Sequence, residues 1–172
     1  LLLMPALALR AADWPLDMTI TVPTLVLSIF FGYFLARSSY NELFALIVST
    51  IYSFVTVLVI AAFLQEGGFL TGMTTVLTRS IAWTIDAASG GINQDNLVFS
   101  LVVSLLFWFF GYNSVWHIFR VDRVWRVVIP PAMIMLVNLV VYTGDANLET
   151  YLLVFVFFAL LLVVRSSVDA RE

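Results

Sequence analysis

The chain contains no cysteine and no lysine. Without cysteine there is no disulfide framework, no zinc–thiolate site and no thiol nucleophile, and the redox compartment leaves no mark. Charge is scarce as well: 11% of the 172 residues, eight arginines against eleven acids, for a net charge of −3. That balance lacks the basic face a nucleic-acid binder presents, so no nucleic acid is expected as a partner. A soluble domain carries about 25% charged and about 45–50% apolar residues, whereas this chain is 62% apolar with a mean hydropathy of +1.05. It has too little polar surface to coat a globule in water. The medium its composition demands is lipid.

Crossing about 30 Å of hydrocarbon takes a helix of about 20 mostly apolar residues. Five runs qualify, at about residues 19–36, 43–64, 97–116, 127–143 and 148–164. The expected fold class is all-α: a polytopic integral membrane helix bundle, with residues 1–172 forming a single transmembrane domain. Residues 1–9 (LLLMPALAL) are apolar, too short to cross and without the basic start of a signal peptide. They read as a partial, truncated sixth span at the N-terminus.

Arginine placement sets the expected orientation, because cytoplasmic loops retain positive charge. Arg37, Arg120, Arg123, Arg126, Arg165 and Arg171 fall on one side of the alternating loops. The other side receives Arg10 and Arg79 together with Asp13, Asp17, Glu66, Asp86, Asp95, Asp145 and Glu149. The expected location is a bacterial cytoplasmic (inner) membrane, with the C-terminus cytoplasmic and the loop of residues 65–96 outside. Within that loop Phe69, Leu70, Met73, Val76, Leu77, Ile81 and Ile85 follow the i, i+3, i+4, i+7 rule of an amphipathic helix. The spacing predicts an interfacial helix over about residues 69–88, stopped by Gly90-Gly91. Asp95 or Asn96 then caps the following span.

Few side chains carry chemistry. The single histidine, His117, is the one candidate ligand for a pigment magnesium or for proton shuttling. Its place at the end of a span favours a structural role, with the imidazole exposed. Asn138, an amide inside a span, is expected to hydrogen-bond across helices. Arg120, Arg123 and Arg126 recur every three residues, so on a helix they share one side, with Trp116, Phe119 and Trp125 near the lipid boundary. This is positive-inside anchoring with an aromatic belt, and the same cluster suits anionic-lipid or partner contact. On the outer helix Arg79, Trp83 and Asp86 share a side at spacings of four and three, which leaves room for an Arg/Asp contact across the indole on what reads as an interface helix. No Ser-His-Asp set, phosphate loop or clustered metal site is present, so no catalytic residue, metal or resident cofactor is expected. Span interiors free of acids argue against an ion-coupled carrier, and the lack of a charged pore ring argues against a channel.

Several stretches together carry a resemblance: GYFLARSSYNEL (residues 32–43), RSIAWTIDAASGG (79–91) leading into DNLVF (95–99), FWFFGYNSVWHIFRVDRVWRVVIPP (107–131), Asn138 and the terminal RSSVDARE (165–172). The chain resembles the membrane-embedded N-terminal region of bacterial transglutaminase-like proteins. The resemblance implies a bundle of about six helices, followed in the family by a further span and an extracytoplasmic domain with a papain-like Cys-His-Asp triad. This chain has no cysteine and one histidine at a span end, so none of the family's catalytic residues can be placed on it.

The resulting expectation is a non-catalytic membrane anchor or scaffold, whose partners are the lipid bilayer and either other membrane-protein subunits or a covalently continuous outer domain. The alternatives are an accessory integral subunit of a photosynthetic or respiratory complex and, third in order, a facilitator or channel. In such a complex the fifteen phenylalanines suit contact with pigments or lipids.

Overall fold

The computed structural model describes residues 1–12, 14, 18–91, 94–121 and 123–169. Asp13, Asp17 and Arg171, which entered the charge argument above, lie outside the described residues. The elements are α1 (Leu3–Ala11), α2 (Thr21–Ala36), α3 (Glu42–Leu64), α4 (Phe69–Ala88), α5 (Asn96–Trp116) continued by a π-turn (His117–Val121), α6 (Val124–Val141) and α7 (Leu148–Asp169). Among the described residues there is no strand.

Four segments are long and apolar enough to cross a membrane: α3, α5 with its π-turn, α6 and α7. The fifth run expected from the sequence is shorter. Met18, Thr19 and Ile20 form turns, and α2 has 16 residues, about 24 Å at 1.5 Å per residue.

Helix ends follow local chemistry. The Asn41 side chain accepts from the Phe44 amide at 2.8 Å, closing the first turn of α3. Asp95 does the same for α5, taking the amides of Leu97 at 2.9 Å and Val98 at 3.2 Å. Between α3 and α4 the chain turns through Gly67 and Gly68 at φ +92° and +90°, a region that costs glycine little. The end of α4 is a Schellman motif: the Gly91 amide donates to the Asp86 carbonyl and the Gly90 amide to that of Ala87, with Gly90 at φ +79°. Pro130 and Pro131 lie within α6. Neither can donate, so the carbonyls of Arg126 and Val127 lose their helical partners.

Packing centres on α5, which touches α2, α3, α4 and α6. Its tightest neighbour is α2. A Cβ on Gly111 would overlap Ser28, and one on Gly32 would sit 3.1 Å from the Tyr112 backbone. Small residues let membrane helices approach, exchanging side-chain bulk for dispersion contact and short polar links. Thr21 and Ser104 hydroxyls meet at 3.1 Å across this seam, and the Trp108 indole donates to Ser49 of α3 at 3.0 Å. Buried side chains collect at both ends of the seam: Ile20, Val57, Ala61, Val76, Leu97 and Leu101 at one, and Leu35, Ala36, Ala45, Tyr112 and Trp116 at the other. A further cluster of Ala8, Met135, Phe155 and Ala159 joins α1, α6 and α7. The exterior is apolar, with Phe34, Phe63, Val140 and Leu153 largely exposed.

Candidate functional site

The ends of the helices hold the polar chemistry. At the arginine-bearing end, α5 does not continue into α6. It loosens into the π-turn, where the Arg123 amide donates to the His117 carbonyl at 3.0 Å, and α6 starts afresh at Val124. Arg120, Arg123 and Arg126 therefore do not share one helical side, as a spacing of three had predicted. Arg120 belongs to the π-turn, Arg123 is the residue before α6, and Arg126 lies in its first turn. Cations at a helix N-terminus oppose its dipole, so local helix electrostatics do not favour arginine here.

Each arginine has its own task. The Arg120 guanidinium lies 4.7 Å over the Trp116 ring and donates to the Ser38 carbonyl at 2.8 Å, tying the π-turn to the chain leaving α2. Trp116 is 2% exposed and packs with Leu35, Ala36, Ala45 and Tyr112. It is a core residue, not part of a lipid-facing belt. Trp125, by contrast, is 64% exposed. With Arg123, Arg126, Ser166 and Ser167 it lines a cavity of about 440 Å³ between the start of α6 and the end of α7.

His117 differs from its expected exposed state: it is 4% exposed. Its Nδ1 is 2.8 Å from the Asn113 carbonyl oxygen and its Nε2 is 3.2 Å from Nη1 of Arg126. A carbonyl can only accept and a guanidinium can only donate. The ring is consequently neutral, protonated on Nδ1 and accepting through Nε2. Both nitrogens are engaged, so a magnesium at Nε2 would have to displace Arg126. No group of three or more His, Asp or Glu side chains with metal-binding proximity occurs among the described residues.

At the opposite end, Arg79 of α4 pairs with Asp95, not with Asp86. Its Nε donates to Oδ2 at 2.8 Å and its Nη2 to Oδ1 at 2.6 Å. Spacing alone misled here because seven residues are about 10.5 Å along a helix, while the turn at Gly90 and Gly91 brings Asp95 back beside α4. The hydrogen bonds from Arg79 hold the Asp95 carboxyl below its ordinary range, aided by the Val98 and Leu97 amides and opposed by partial burial. Asp86 stays exposed. Trp83 turns edge-on to Phe99 of α5, ring centroids 6.1 Å apart. Beside it an apolar cavity of about 430 Å³ opens between α3, α4 and α5.

Asn138 makes its hydrogen bond not to another helix but to the connection between α1 and α2, where the Trp14 indole donates to Oδ1 at 2.9 Å. Sequence reasoning gave Trp14, Ser38, Ser49, Ser166 and Ser167 no role. Trp14 offered one signal, an indole flanked by acids at the edge of an apolar run; the serines offered none. No family model, curated protein or solved structure matches the chain.

Proposed function

We propose that this chain is a non-catalytic membrane anchor and scaffold, embedded in a bacterial inner membrane with its arginine-bearing end in the cytoplasm. The carrying observation is the distribution of polar groups. The exterior is apolar, and two polar links at the arginine-bearing end join helices: Arg120 to Ser38, and Arg126 to His117. Positioning is what such an arrangement does.

The proposed topology has five complete spans, α2 being the shortest. α4 is proposed as an interfacial helix on the outer side. Its threonine-lined face and its ion pair at the start of α5 support that placement. Arg123, Arg126 and Trp125 form the inner anchoring contact with anionic headgroups.

The parent polypeptide is proposed to be transglutaminase-like, on the strength of the sequence stretches given above, with its chemistry in a separate outer domain. An accessory subunit of a larger membrane complex is the competing reading. It is favoured by α7, whose apolar window is only 11% buried and leaves most of a helix for a neighbour.

Because the chain has no cysteine, a single introduced one is a unique label. Thr78→Cys and Ser167→Cys should react with a membrane-impermeant maleimide from opposite sides of intact cells or vesicles. Labelling from the same side would refute the topology. The intact source polypeptide should weigh well above the 19.3 kDa of this chain if a covalent outer domain exists. Stoichiometric co-purification of other subunits would favour the competing reading.

A further inference from the structure

Asn138 has an unmet demand. It is 5% exposed, and its Oδ1 already accepts from the Trp14 indole. An indole N–H can only donate, so this bond fixes the amide's orientation by chemistry: oxygen toward Trp14, nitrogen away. Nδ2 is buried and has no hydrogen-bond partner among the described residues. Two N–H donors left unmade in apolar surroundings are costly wherever water is excluded.

The surroundings suggest what meets that demand. Asn138 lines a cavity of about 380 Å³ whose other walls are Leu9, Trp14, Met133, Ile134, Val137 and Val141. Sites for small molecules share this make-up: a largely apolar wall with one or a few fixed polar groups. Met133 and Val137 are more than half exposed, so the cavity opens sideways, toward the medium around the bundle. Water is a poor occupant, because a held water needs two to four polar partners and the indole N–H here is already committed to Oδ1. An apolar body carrying one acceptor oxygen fits both wall and donor. The depth is also suitable. Asn138 is three residues before the end of α6, about 4.5 Å along the axis, just inside the boundary where polar and apolar parts of an amphiphile meet.

We propose that this cavity binds an amphiphile through a carbonyl oxygen, which accepts from Nδ2 of Asn138 while the hydrocarbon chain lies along Met133, Ile134 and Val137. Two sources supply that chemistry: the acyl ester of a bilayer phospholipid and the ring carbonyl of an isoprenoid quinone. Trp14 acts as the positioning residue, since its donation to Oδ1 turns the amide nitrogen into the cavity wall.

The test uses the whole chain labelled with ¹⁵N-asparagine in nanodiscs, with the Asn138 side-chain resonance assigned by its loss in Asn138→Leu. Three conditions are compared: diester phosphatidylglycerol, its diether analogue without carbonyls, and the diether analogue with decylubiquinone. A downfield shift of the amide protons in the diester discs relative to the diether discs identifies the lipid ester. A shift produced in diether discs only by decylubiquinone identifies the quinone carbonyl. An amide unmoved across all three overturns the proposal. Val137→Trp alters an exposed position, fills the cavity mouth and leaves the Trp14 contact in place. It should abolish the shift, and a shift that survives it would also overturn the proposal. Where decylubiquinone binds, Asn138→Leu should weaken it about five-fold, the loss of one neutral hydrogen bond.

Discussion

Arg79 grips Asp95 with two hydrogen bonds, at 2.8 and 2.6 Å, while the same carboxylate takes the first amides of α5. One side chain thus ends a loop, starts a helix and pins α4 to α5.

That dual role sets a pH dependence. The carboxyl is held below its ordinary range when folded, so its stabilising contribution is present above the unfolded value of about 4 and is lost as the pH falls through the lower folded one. Asp95→Asn should lower the melting temperature in detergent at pH 7. The gap between variant and parent should close below about pH 4. Asparagine still accepts from the first amides of α5 and keeps the cap, so the loss is that of the half-exposed ion pair, about 0–1 kcal/mol. A gap that widens on acidification would contradict this account.

The contact of Gly111 with Ser28 predicts strong coupling between α2 and α5. Gly111→Ala should destabilise by about 1–3 kcal/mol through overpacking. Ser28→Gly should recover much of that loss, because it removes the nearest atoms met by the new methyl group. Additive effects in the double-mutant cycle would show that the two helices are not in such close contact.

The imidazole of His117 should give ¹⁵N shifts of a neutral ring, with a pyrrole-type Nδ1 and a pyridine-type Nε2. Arg126→Leu should move the Nε2 resonance and leave Nδ1 nearly unchanged, since Nδ1 faces the Asn113 carbonyl within the same helix. The opposite tautomer would overturn the assignment.

Arg120 combines a planar stack on Trp116 with a hydrogen bond to Ser38. Lysine keeps the charge and loses the plane. Thermal stability should fall in the order Arg, Lys, Leu at this position, with Arg120→Leu costing about 1–2 kcal/mol. Equal stability for Lys and Arg would leave charge alone as the cause.

Hydropathy and capping residues made most of the helices legible. The glycine pair at 90–91, Asp95 and the apolar period of residues 69–88 carry their meaning within one or two turns of chain, which is why α4 and the start of α5 could be located. The partners of Arg79, Arg120 and Asn138 lie 16, 82 and 124 residues away. No periodicity reports on separations of that length. The arginine spacing misled because π-type bonding replaces the α ladder over His117–Val121 and a new α-helix starts at Val124.

The sequence by itself determined the material of this protein: an oily chain divided into helices, with guanidinium groups gathered at alternate ends. Those properties come from composition and local spacing, since transfer into lipid and helix capping are decided residue by residue. The tertiary structure alone decided that Trp116 and His117 are buried, that Asp95 and not Asp86 answers Arg79, and that Asn138 Oδ1 is taken by Trp14 while its amide nitrogen is buried without a hydrogen bond among the described residues. Burial and pairing depend on which distant segments meet, and that is set by the packing of small residues such as Gly111 and Ser28 across helix seams.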